Sequence, residues 1–200
     1  MKPAIFLALF LLGTAPAPLR AQTPAPAQVE TLVCFRHAEK PKAGLGQLTP
    51  RGLKRALALP AVLIGKFGKP AFIFAPNPAR KIQDVNGRYD YVRPLATVEP
   101  TAIACGLPVN ADIGQADVST LRRTLLNRPE YRNARVFVCW EHHNLVAFAR
   151  DVVKELGGNA AQVPDWPRPD FDSIYVIRIV RHGHAASVSF SIAHEGLNNL

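Results

Sequence analysis

Two runs constrain this chain more than anything else in it: residues 29–35, with Leu32-Val33-Cys34-Phe35 unbroken, and residues 134–140, with Val136-Phe137-Val138-Cys139-Trp140. A strand with one wet face alternates polar and apolar residues. A continuous apolar run needs cover on both faces, which helices packed on either side of a parallel sheet provide.

Helical patterns stand between such runs. Thr49-Pro50 reads as an N-cap and first-turn proline, followed by Leu53, Leu57 and Ile64 on one face, with Pro60 bending the helix. Residues 70–75 form a second short strand. Residues 97–105 form a helix with Pro100 near its start and Gly106 past its end. Asp117 caps another, with Val118, Leu121 and Leu125 inward, and residues 144–156 form one closed by Gly157-Gly158. Residues 174–180 and 187–192 are two last strands around Arg181-His182-Gly183-His184; the second alternates Ser with apolar residues and suits a sheet edge. Residues 76–92 show no periodicity and read as a long loop, of the kind that usually serves function. The alternation predicts an α/β fold: a three-layer α/β/α sandwich with a mainly parallel sheet.

The 200 residues divide unequally. Met1-Lys2 followed by an apolar stretch over residues 5–12 reads as a secretory signal, 1–21, too short for the roughly 20 residues a membrane span needs. An uncleaved anchor is the alternative. Residues 22–28, rich in Ala and Pro, read as a flexible leader, and 29–200 as a single domain. Cleavage after Ala21 leaves 22 basic and 15 acidic side chains, a net charge of +7, on an exported, periplasmic or secreted domain without stable membrane insertion. That charge suits anionic ligands; no basic-aromatic face accompanies it, so a nucleic-acid partner is not expected. Cys34, Cys105 and Cys139 have the spacing of no metal cluster. Buried free thiols are expected, with a Cys34–Cys139 disulfide the minority option.

In an open α/β sheet the reactive crevice lies beyond the carboxyl ends of the strands. Both apolar runs end in histidine: Phe35-Arg36-His37-Ala38-Glu39-Lys40 and Trp140-Glu141-His142-His143. The first resembles the Arg-His-Gly signature of the histidine phosphatase superfamily, the phosphoglycerate mutase and acid phosphatase group, with Ala38 where Gly is usual. Leu48-Thr49-Pro50-Arg51-Gly52-Leu53-Lys54-Arg55-Ala56 is similar to that family's Leu-Thr-x-x-Gly-x-x-Gln-Ala helix start, with Arg55 in place of Gln. Arg93-Pro94-Leu95-Ala96-Thr97 leading to Gly106-Leu107-Pro108-Val109 matches its second arginine, and residues 136–142 resemble the strand that delivers its second histidine.

The resemblance implies a phosphoglycerate mutase-like fold and a phosphohistidine intermediate on His37. Arg36 and Arg93 would clamp the phosphoryl oxygens and His142 would donate to them. Imidazole is a competent nucleophile near neutral pH, and phosphoryl transfer is chiefly charge stabilisation and positioning, so neither cofactor nor metal is required. The partner would be a small phosphorylated substrate. Several assignments stay open at this point. Arg80 rivals Arg93, His143 rivals His142, and Lys40 is a candidate for the pocket mouth. Glu141 is favoured over Asp117 as proton donor, Asp117 having its N-cap role instead. Arg181-His182-Gly183 copies the three-residue signature but lies in a tight hairpin with no helix behind it, and is expected to do no chemistry. Two other functions fit the same residues: a phosphomutase, and a non-catalytic phosphate-binding module. Oligomeric state and the identity of the phosphomonoester are left open by the sequence.

Overall fold

The structure, a computed structural model, describes residues 26–183 and 185–200; the expected signal, 1–21, lies outside them. The two apolar runs pair with each other. β1 (Gln28–Arg36) lies parallel to β6 (Arg135–Trp140), from Thr31 opposite Arg135 to Arg36 opposite Trp140. β6 in turn pairs in parallel with β2 (Phe72–Phe74), and β2 with the short β5 (Val109–Asn110). On the other side of β1, β7 (Ser173–His182) and β8 (Ala185–His194) run antiparallel, giving the order β5-β2-β6-β1-β7-β8. The sheet is therefore mainly parallel, and β8 is an edge as its alternation predicts.

Because successive side chains in a strand point to opposite faces, β1 and β6 feed two separate cores. Leu32, Val136, Val138 and Trp140 pack against Leu121 and Leu125 of α3 (Val118–Asn127) and Phe148 and Val152 of α4 (His142–Glu155). Val33, Phe35 and Phe137 pack against Leu59 and Leu63 of α1 (Pro50–Phe67) and Val98 and Ala102 of α2 (Arg93–Cys105). Two helices cover each face, and the three layers are complete.

The same alternation settles the cysteines. Cys34 belongs to the first core and Cys139 to the second, on opposite sides of the sheet, and all three thiols are free.

Three expectations need correction. α1 does begin at Pro50, with the Thr49 hydroxyl accepting from the Gly52 amide at 3.0 Å. Its buried stripe, however, is Gly52, Ala56, Leu59 and Leu63, while Leu53 and Leu57 are 50% and 63% exposed. The stripe follows the closest approach available: a Cβ at Gly52 would collide with the Glu39 carbonyl, so the smallest residue, not the larger Leu53, faces the sheet. α2 starts four residues earlier than expected, at Arg93, with Pro94 in its first turn. Residues 76–92 are not all loop: β3 (Ile82–Asp84) and β4 (Gly87–Tyr89) form a small hairpin, too short and too polar to leave a periodic signal.

Candidate active site

The parallel pairing of β1 and β6 brings their carboxyl ends side by side. The His37 amide donates to the Trp140 carbonyl at 3.0 Å, so His37 and the Glu141-His142 pair leave the same edge of the sheet. The amino end of α2 delivers Arg93 to the same place. Arg36, His37, Arg93 and His142 are all buried.

His37 is held by its own turn. Nδ1 lies 2.8 Å from the Ala38 carbonyl and donates to it, which assigns the ring proton to Nδ1 and makes Nε2 the unprotonated nitrogen. Nε2 accepts from Arg93 Nε at 3.3 Å. Burial, reinforced by the Arg93 and Arg36 charges, holds the imidazole well below its usual pKa, so it is neutral at physiological pH. Ala38 fits where a glycine is usual because its backbone stays out of the left-handed region, and its amide donates to Thr97 Oγ1 at 3.0 Å.

The two guanidiniums are anchored differently. Arg93 Nη1 donates to Asp84 Oδ2 at 2.8 Å, and Lys40 Nζ donates to Asp84 Oδ1 at 3.0 Å. Burial alone would raise the Asp84 carboxyl, but Arg93 and Lys40 overcome it and hold it at about 2. Arg36 Nη1 donates to the carbonyls of Arg168 (2.6 Å) and Asp170 (2.9 Å), and its guanidinium stacks 3.9 Å from the Phe171 ring centroid. Its buried Nε has no protein partner. Burial lowers Arg36 to about 10, still cationic at neutral pH.

Glu141 is the N-cap of α4, with Oε2 accepting from the Asn144 amide at 3.0 Å. Its Oε1 lies 2.5 Å from His142 Nδ1, yet the approach lacks hydrogen-bond alignment, and both nitrogens of this buried ring are without a protein hydrogen-bond partner. Burial pushes the Glu141 carboxyl up, but His142 and the amides of Asn144 and His143 outweigh it and set it at about 2. In the free site Glu141 is therefore an ionised acceptor, and to serve as the proton donor expected from sequence it would first have to take up a proton.

The remaining candidates fall into place around this centre. Lys40 lines the mouth, on the wall of a cavity of about 420 Å³ that also includes Lys81, Tyr91 and Arg93. A second opening, bounded by Arg36, Lys40, His142, His143, Arg168 and Phe171, lies beside it. Arg80 instead lines a neighbouring depression with Gly114 and Asp117, so Arg93 is the arginine that meets His37. Asp117 is the exposed N-cap of α3, accepting from the Thr120 amide at 3.2 Å. His142 stacks on the exposed His143 at 4.0 Å, and His142 is the buried one of the pair. His182 is exposed, and its neighbour Arg181 pairs with Gln28 at the opposite end of β1 from Arg36. At about 3.3 Å per residue, the two signature copies stand on the order of 25 Å apart.

Sequence reasoning missed Asp84, Phe171 and the Arg168 and Asp170 carbonyls. The first sits on the hidden β3–β4 hairpin and the others on an irregular segment, where no spacing rule points to them.

Together these groups make an anion cradle: two guanidiniums, a buried imidazole and the positive end of α4, converging on a neutral imidazole whose unprotonated Nε2 faces Arg93. Ligand atoms of Glu141, His142 and His143 also lie within 4.8 Å of one another, the spacing of a divalent-cation site. Their position at a helix N-terminus, with the Arg36 charge acting on Glu141, favours an anion there.

No family model matches the chain, and no curated protein sequence matches it. Solved structures do. A protein histidine phosphatase, SixA, complexed with tungstate is 15% identical, with a TM-score of 0.56, covering 82% of this chain and 97% of its own. A mycobacterial glucosyl-3-phosphoglycerate phosphatase in complex with inorganic phosphate is 13% identical, with a TM-score of 0.57 and coverages of 81% and 95%. A phosphoglycerate mutase from Plasmodium falciparum is 12% identical, with a TM-score of 0.53 and coverages of 82% and 89%. Likeness at this level of identity is a likeness of fold.

Proposed function

We propose that this chain, which has the phosphoglycerate mutase-like fold of the histidine phosphatase superfamily, is an exported phosphatase that hydrolyses small phosphomonoesters through a phosphohistidine on His37. The observation that carries the reading is His37 itself: a buried, neutral imidazole whose Nε2 faces Arg93, beside a buried Arg36 whose Nε has no protein partner.

The chemistry follows from those positions. A phosphoryl group entering the cradle takes over donors of Arg36 and Arg93 and supplies the partner that the buried His142 ring lacks. His37 Nε2 attacks phosphorus, the P–O bond to the alcohol breaks, and the leaving oxygen needs a proton. Glu141 as a carboxylate does not hold one, so the proton arrives with a phosphomonoester monoanion, whose second pKa is near 6, and passes across Glu141. In the second half, Glu141 takes a proton from the attacking water as the P–N bond breaks and passes it to the departing phosphate, which leaves His37 neutral and Glu141 ionised again.

Glycolytic-type phosphomutase chemistry would instead return the phosphoryl group to a second hydroxyl; the signal-like residues 1–21 favour hydrolysis, since phosphorylated sugars and glycerates are chiefly intracellular. The second reading is a phosphate-binding module without turnover. It is favoured by the ionised state of Glu141 in the free site. The neighbours that carry tungstate and phosphate on this fold fit both readings.

The experiment is turnover of a chromogenic phosphomonoester, with and without chelator, by wild type, His37→Ala and His182→Ala. Chelator-insensitive release that vanishes in His37→Ala and survives in His182→Ala is expected. Tight phosphate binding without release establishes the module, and loss confined to His182→Ala overturns the site.

A further inference from the structure

We propose that Arg55, which lines neither opening of the site, is a positioning residue that sets the geometry of both His37 and Arg36. The proposal rests on reading those two as the phosphoryl-binding pair.

Arg55 is 1% exposed on the inner face of α1. Its Nε and Nη2 donate to the Glu39 carboxylate at 3.0–3.2 Å, and Nη1 donates to Glu195 Oε2 at 2.6 Å, with Asp172 Oδ1 at 3.7 Å. One guanidinium thus faces three carboxylates from three segments remote in sequence, and only a planar fork can serve two directions at once.

Each segment leads to the cradle. Glu39 stands two residues after His37, in the turn whose Ala38 carbonyl fixes the His37 ring proton. Asp172 follows Phe171, which stacks on Arg36, and Asp170, whose carbonyl Arg36 binds. Glu195, in the segment after β8, clamps Asp172 from behind: its amide donates to the Asp172 carbonyl at 2.7 Å, and the Leu197 amide donates to Asp172 Oδ1 at 2.9 Å.

Without the Arg55 charge, Glu39 and Asp172 lose the cation between them and the buried Glu195 carboxyl loses its hydrogen-bond donor. The His37 turn and the 168–172 segment then move apart, and Arg36 loses the carbonyls that aim it. The burden already shows at Glu195. Burial and the neighbouring Asp172 and Glu39 charges raise its carboxyl to about 8, and its Oε1 has no protein partner.

The test uses the folded full chain and two readouts. One is the dissociation constant for inorganic phosphate by calorimetry; the other is kcat and KM on the chromogenic ester, both well below the melting temperature of each variant. Arg55→Gln is expected to weaken phosphate binding at least tenfold and to raise KM. Arg55→Lys should recover part of that loss, since an ammonium holds one carboxylate well but not the fork. Should Arg55→Gln not fold, Glu195→Gln keeps the side-chain volume and removes one partner, with a loss of at least threefold expected. A folded Arg55→Gln, or in its stead Glu195→Gln, that binds phosphate within twofold of wild type overturns the proposal, because a merely structural arginine would lower the melting temperature and leave that constant unchanged. The outcomes separate cleanly. A wild type that binds phosphate without turnover sinks the enzyme reading and leaves Arg55 to be judged on binding. An unaltered constant sinks Arg55 and leaves the enzyme reading standing.

Discussion

Asp84 joins the β3–β4 hairpin to the cradle, and its removal has a calculable signature. Its side chain is 3% exposed, it accepts from Arg93 at 2.8 Å and Lys40 at 3.0 Å, and its carboxyl sits at about 2 against an ordinary 3.8. The folded value lies below the unfolded one, so the stabilisation is full above pH 4 and disappears as pH falls through about 2. Its size at pH 7 is about 2.5 kcal/mol, and at pH 3 about 1.3 kcal/mol, from the linkage relation. Asp84→Asn removes the charge and keeps an acceptor oxygen for Arg93. The loss should therefore approach these figures without exceeding them by much, unless Arg93, left buried without a counterion, adds its own penalty. Urea unfolding of wild type and Asp84→Asn at both pH values measures the difference, and ester turnover should fall about tenfold as Arg93 loses its anchor. A stability difference under about 0.5 kcal/mol at pH 7, or one that does not shrink at pH 3, would refute the pairing as the source.

Two further outcomes follow from packing. Leu59→Ala, in the core under α1, should cost about 2–5 kcal/mol, whereas Leu57→Ala, 63% exposed on the same helix, should stay within about 0.5 kcal/mol; equal losses would mean the buried stripe is wrongly placed. Titration of the native protein with a thiol reagent should leave Cys34 and Cys139 protected, and urea without reductant should release all three thiols. Finding Cys34 and Cys139 joined to each other in urea would contradict their placement on opposite faces of the sheet.

The elements that were legible in the sequence are those with a strong local code. β1 and β6 announce themselves by unbroken apolar runs, α3 by Asp117 and its inward leucines, and α4 by its closing glycines. The cradle was legible in its charged members because Arg36, His37 and His142 follow strand ends, and strand ends in this architecture converge. What the sequence concealed depends on distance in space. The hairpin that carries Asp84 is too short to have a period, and Phe171 sits in an irregular segment whose value comes only from where Arg36 points. The buried face of α1 was misjudged because a glycine, invisible to any hydrophobicity count, decides it. The environment of Glu141 was equally hidden: being the N-cap of α4 makes it an acceptor, and a cap is fixed by backbone geometry, not by adjacency to a histidine.

The His37 amide and the Trp140 carbonyl that join β1 to β6 lie about a hundred positions apart along the chain. Closing a loop of that length costs about 4 kcal/mol of chain entropy before a single strand contact compensates it. Half of the cradle therefore cannot exist without the other half, and the proposed anion binding requires the central ladder to have zipped. In an unfolded chain His37 is an ordinary solvated imidazole, without the burial and the Arg93 contact that the folded ladder gives it.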